Sequence, residues 1–175
     1  INDYTKTGIA SRNAIQEELK NFTNSIKVRY SDNKTVGELK KELMSLSPNT
    51  VVLLGVYFKD KIGNYLTYEK IARLLTMHSN APVFSLLKFN INKDVIGGNV
   101  VSGYHQGEVM SNIAKKILSG IPVSEIPIQR TESTKSIYNY IGLEKYNFDI
   151  NKLPKDSLIL NKPTNNSKFT IKQKN

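Results

Sequence analysis

The chain has 175 residues, 39% of them hydrophobic and 23% charged, with no cysteine and a formal net charge of +10. That balance suits one compact domain or one lobe of something larger and excludes global disorder. The lack of cysteine excludes disulfides, thiolate zinc sites and a cysteine nucleophile.

The first element reads as the end of a strand, Ile1-Asn2-Asp3, followed by a turn over Tyr4-Thr5-Lys6-Thr7-Gly8. A helix is predicted from about Ser11 to Phe22, because Ala14, Ile15, Leu19 and Phe22 recur at helical spacing. Ser25 to Tyr30 alternates polar and apolar residues and predicts a half-buried strand. Thr35 and Glu38 form a capping-box pattern. The helix they open has Val36, Leu39, Leu43 and Leu46 on one face and ends at Pro48. Thr50 to Phe58 is a continuous apolar run, the pattern of a parallel strand buried on both faces. Thr67 caps a third helix with Ile71, Leu74 and Leu75 inward, and Ala81 to Leu87 predicts a second buried strand.

Val95 and Ile96 lead into a glycine-rich stretch, Gly97-Gly98-Asn99-Val100 and Gly103-Tyr104-His105-Gln106-Gly107. A helix from about Tyr104 to Leu118 follows, with Val109, Ile113 and Ile117 on one face, Met110, Ala114 and Leu118 beside them, and Gly120 as its stop. Beyond it, Ile126-Pro127-Ile128, Ser136 to Tyr140 and Leu158 to Leu160 read as short strands, and Leu143 to Tyr146 as a helical turn. The alternation predicts a three-layer α/β/α fold with a mainly parallel, flavodoxin-like sheet. The domain spans residues 1–163, and residues 164–175 form a polar, frayed tail.

The charge pattern argues against a specific nucleic-acid reader. Arg12, Arg29, Arg73 and Arg130 are the only arginines among 25 basic residues, and the lysines are scattered rather than banded. His78 and His105 lie in separate segments, with no carboxylate at metal-site spacing, so no metal is expected. Asn21, Asn33 and Asn165 open Asn-x-Ser/Thr triplets that an Asn-rich chain produces by chance. No stretch approaches the roughly 20 apolar residues of a membrane-crossing helix. The chain opens without Met or a signal peptide and reads as an excised piece.

In an open parallel sheet, ligands gather where strands end and loops enter helices. Three such loops stand out: Asp3 to Gly8, Tyr57 to Tyr65, and Gly97 to Gln106. The glycines match neither a Walker loop nor a dinucleotide fingerprint, and no cofactor is expected. Nor does the chain carry a nucleophile elbow or a His-Glu-x-x-His pattern. What remains suits a small polar ligand: Asp3 for an amine or hydroxyl, Thr5 and Thr7 at a helix start, Tyr57 and Tyr104 as flat faces, and Gln106 as donor and acceptor. The competing reading makes Asp3, Thr5 and Thr7 a self-satisfying capping turn, Tyr57 core, and Gly97, Gly98 and Gly103 positions of positive φ or close approach.

Several stretches, in order, resemble one family. Asp3-Tyr4-Thr5-Lys6-Thr7-Gly8 is similar to its Asp-x-Thr-x-Thr-Gly, and Ala81-Pro82-Val83-Phe84 to its Pro-Val-aromatic strand. Ile96-Gly97-Gly98-Asn99-Val100 with Gln106-Gly107 is similar to its Gly-Gly-x-Val and Gln-Gly signature. Ile117-Leu118-Ser119-Gly120 with Ile126-Pro127-Ile128, and Leu153-Pro154-Lys155-Asp156-Ser157 with Leu160-Asn161-Lys162-Pro163, resemble its closing steps. The family is that of ABC-transporter-type substrate-binding domains with the type I periplasmic-binding-protein fold, also used as extracytoplasmic sensors of histidine kinases and diguanylate cyclases. The chain resembles its C-terminal lobe, to about Pro163.

The resemblance implies a non-enzymatic, extracytoplasmic module, membrane-anchored in the full-length protein. It would bind an amino acid, nucleoside or sugar-like solute between this lobe and an N-terminal one, and work with a permease or its own transmembrane signalling module. It places Gly8, Gly97, Gly98 and Gly103 in loops around the cleft. Two alternatives stay open: a flavodoxin-like cytoplasmic enzyme, and a basic interaction domain for nucleic acid or anionic lipid.

Overall fold

A computed structural model describes residues 1–22, 25–91, 94–129 and 133–163. The chain runs α1 (Lys6–Leu19), α2 (Val36–Met44), β1 (Val52–Leu54), α3 (Tyr68–His78), β2 (Val83–Ser85), β3 (Gly97–Val101), α4 (Gly103–Leu118), β4 (Thr134–Asn139), α5 (Tyr140–Lys145) and β5 (Leu158–Leu160). The strands form one sheet in the order β1-β2-β3-β4-β5. Neighbours are parallel except β3 and β4, which are antiparallel. This is the three-layer α/β architecture with a mainly parallel sheet.

The first residues extend the sheet beyond β1. Ile1 N donates to Leu53 O at 2.7 Å, Gly55 N to Ile1 O at 3.0 Å and Asp3 N to Val56 O at 2.8 Å, the slanted ladder of a parallel neighbour. On its far side Asn2 N donates to Ser31 O at 3.1 Å. Residues 25–30 form no strand, and Ile26 and Tyr30 are exposed, so the predicted half-buried strand is corrected. On the alternating face only Val28 is partly buried, and alternation alone buries no residue.

Helix α1 begins at Lys6 rather than Ser11, because Thr5 caps it and Gly8 N donates to Thr5 Oγ1 at 3.2 Å. Thr35 and Glu38 form the capping box of α2, and Thr67 caps α3. Leu39 and Leu43 of α2 and Ile71, Ala72 and Leu75 of α3 are buried with Val52, Leu54, Val83 and Val95. Each large aliphatic side chain in that cluster contributes roughly 1.5–3 kcal/mol.

The predicted apolar runs are longer than the strands they contain: β1 covers three residues and β2 three. Gly97 and Gly98 are strand residues, not loop residues, with φ of +107° and +143°. A Cβ on Gly97 would lie 2.1 Å from Ile137 O on β4. The positive φ and the close approach of two strands explain that glycine. Ile126-Pro127-Ile128 is not a strand; a 3₁₀ turn, Val123–Glu125, precedes it and Ile128 is exposed. The predicted tail, residues 164–175, lies outside the described residues.

Helix α4 departs from expectation in its packing. Its boundaries match its stripe and Gly120 follows at φ +91°, yet none of its residues is buried. Met110 and Leu118 are 70% and 87% exposed, so its apolar flank meets solvent. Among the described residues no helix is long and apolar enough to cross a membrane.

Candidate functional site

Asp3 is buried at the start of α1. Its Oδ1 accepts from Thr5 N at 3.0 Å and Thr5 Oγ1 at 2.5 Å, and its Oδ2 from Phe58 N at 2.9 Å and Lys59 N at 3.2 Å. A carboxylate offers about four acceptor sites, so this one has little capacity left for a ligand. The same knot demands Gly8, whose Cβ would lie 2.1 Å from Asp3 Oδ1. Asp3, Thr5 and Gly8 therefore tie α1 to the loop after β1. Thr7, in the first turn, is exposed.

Tyr57 belongs to the core, 2% exposed, and its hydroxyl donates to Lys34 O at 3.0 Å. Burial first, then the charges of Asp60, Asp3 and Glu38, pushes its pKa up from 10.0 to about 12. The loop beyond is stiffened by Asp60, whose Oδ1 accepts from Ile62 N at 3.1 Å and Asn64 N at 2.8 Å. Desolvation raises the Asp60 pKa, but hydrogen bonds from Asn64, Val36 and Ile62 outweigh it and hold the carboxyl below its ordinary value. This rigid loop presents Ile62 and Tyr65 to solvent, with Lys59 Nζ 5.1 Å from the Tyr65 ring centre.

The junction between β3 and α4 is built differently. Ser102 is buried at the N-cap but makes no capping hydrogen bond; its Oγ lies 3.2 Å from His105 Nδ1. The first amides of a helix have no intrahelical partners, and here the N-cap side chain leaves them uncapped. Gly103 has open space where a Cβ would stand, Tyr104 is 69% exposed and Gln106 is exposed.

Opposite stands the turn after β2. Leu87 N donates to Ser85 Oγ at 3.1 Å and Asn90 Nδ2 to the same oxygen at 3.0 Å. With buried Asn90 and Ser85 holding the inside of this turn, Lys88 and Phe89 face outward. The Phe89 ring lies 4.1 Å from that of Tyr68, and both rings are about half exposed. Leu87 bridges to Val101, which brings the two strand ends together.

Between these walls lies an open cleft of about 420 Å³. Leu87, Lys88 and Phe89 form one side; Val101, Ser102, Gly103, Tyr104 and Gln106 form the other. Among the described residues no carboxylate lines it. Among the described residues Lys88, its one cation, takes part in no ion pair.

Of the sequence-predicted ligand residues, Tyr104 and Gln106 meet in this cleft with Gly103. Asp3, Thr5 and Tyr57 serve internal structure instead, and Gly97 and Gly98 serve strand packing. Sequence reasoning missed Leu87, Lys88 and Phe89. The rule that ligands gather at strand ends, applied to the run ending at Leu87, finds them. Among the described residues no group of three or more His, Asp or Glu side chains is placed to hold a metal ion. No protein-family model, no curated protein and no solved structure matches the chain.

Proposed function

We propose that the chain is a solute-binding lobe that holds a small molecule at the carboxyl ends of β2 and β3 and has no catalysis of its own. The observation that carries this is the open cleft, whose lysine makes no ion pair among the described residues and whose helix start is not capped by Ser102, while the neighbouring Asp3 turn is saturated. The ordered motifs from Asp3 to Pro163 support the finer reading: the C-terminal lobe of an extracytoplasmic substrate-binding or sensor domain. In that reading a companion lobe closes on the cleft by a hinge motion, and the exposed Tyr65, Phe89 and Tyr104 face it.

A thermal-shift screen against amino acids, nucleosides, sugars and small organic acids tests the reading. A ligand that binds the folded state raises its melting temperature by mass action. The expected result is a saturable rise for one compound class, abolished by Tyr104→Ala or Gln106→Ala. No saturable rise in any class would overturn it.

A further inference from the structure

We infer that the cleft selects a small organic anion with a flat apolar body, a ring bearing one carboxylate, over amines, zwitterionic amino acids and neutral sugars. The inference rests on the cleft being the ligand site. It comes from the complement of charges on the cleft wall. Among the described residues Lys88 is half-buried, unpaired and the sole charged group lining the space.

Among the described residues a ligand ammonium has no counter-charge there. Asp3 is saturated by four hydrogen bonds. Glu108 lies along the adjoining groove on α4, where Lys115 shares the wall. A cation seated there gains no partner among the described residues, whereas a carboxylate meets Lys88 in a charge-assisted hydrogen bond. Beside the polar Ser102 and Gln106, the rest of the wall is apolar and offers a seat for a ring. Leu87 and Val101 are aliphatic, Phe89 leans on Tyr68 at 4.1 Å, and Tyr104 stands exposed opposite. A net charge of +10 adds a field that draws anions toward the surface.

The test uses the full chain and three near-isosteric probes, phenylacetate, phenylacetamide and 2-phenylethylamine, with glucose and acetate as ring-free controls. Ligand-observed NMR titration reports millimolar affinities. Phenylacetate is expected to bind on the order of tenfold more tightly than phenylacetamide, the ratio that one charge-assisted bond supplies. 2-Phenylethylamine and the controls are expected not to compete. Lys88→Gln should erase the acid-to-amide ratio and Lys88→Arg should keep it. Lys115→Gln, an equal charge loss on the α4 groove, should leave it unchanged.

Equal binding of acid and amide, preference for the amine or glucose, or an effect of Lys115→Gln as large as that of Lys88→Gln would overturn the anion assignment while leaving the cleft a ligand site. Absence of binding by every probe, together with a silent thermal-shift screen, would remove both.

Discussion

Two loop-to-helix junctions stand at the carboxyl end of the same sheet, and they differ in how many of their polar groups are already used. At the start of α1, Asp3 takes four hydrogen bonds, Thr5 caps the helix and Gly8 is pressed against the carboxylate. At the start of α4, Ser102 caps nothing, Gly103 faces open space and Tyr104 is exposed. Both stretches are polar and contain glycine. The lesson is that a polar group at a strand end is available to a ligand only if the fold has not already occupied it.

Substitutions can break this contrast. The largest effect is expected at the saturated junction. Asp3→Ala leaves the amides of Phe58 and Lys59 without their acceptor and should cost about 3–4 kcal/mol, read from denaturant unfolding. Gly8→Ala should reproduce much of that loss, since its Cβ would meet Asp3 Oδ1 at 2.1 Å.

Next comes an alkaline transition tied to Tyr57, in the same buried region. Its pKa is raised from 10.0 to about 12, so its contribution is fully present below the unfolded value and is lost as pH rises through the folded one. The stability lost between pH 10 and 12 from this group is about 2–3 kcal/mol. Unfolding curves across that window should show the loss in the native chain and a flatter profile in Tyr57→Phe.

Gly97→Ala should cost about 2 kcal/mol, from a φ of +107° and a contact at 2.1 Å with Ile137 O. The smallest effects belong to the open junction. Gly103→Ala and Tyr104→Ala should change stability by less than about 0.5 kcal/mol, while Tyr104→Ala removes ligand binding. Comparable stability losses at both junctions would erase the distinction.

Much of the fold was legible because its signals are local. The Thr35–Glu38 pattern is a real capping box, Thr67 is a real cap, and the apolar runs around Val52–Leu54 and Val83–Ser85 are buried strands. Strand β3 was not legible: Gly97-Gly98-Asn99 lacks β pattern, and only its pairing with Ile137 and Tyr138 makes it a strand. The stripe on α4 announced a helix but not its exposure, since periodicity records a face and not what covers it. The antiparallel turn of β4 against β3 likewise leaves no mark in a single sequence.

The site was half legible for the same reason. Tyr104 and Gln106 lie where the strand-end rule puts them. The role of Asp3 depends on amides at positions 58 and 59, more than 50 residues away, and nothing near Asp3 in sequence reveals them. Lys88 and Phe89 follow the run ending at Leu87, where the same rule reaches them, but that their turn faces the start of α4 is a matter of tertiary structure.

The most direct test of the central claim is a ¹⁵N–¹H correlation titration of the full chain with phenylacetate. The account predicts saturable shift changes confined to residues 87–89 and 101–106, with the amides of Thr5, Gly8, Phe58 and Lys59 unmoved. Changes centred on residues 3–8 and 57–65, with the α4 junction silent, would contradict it.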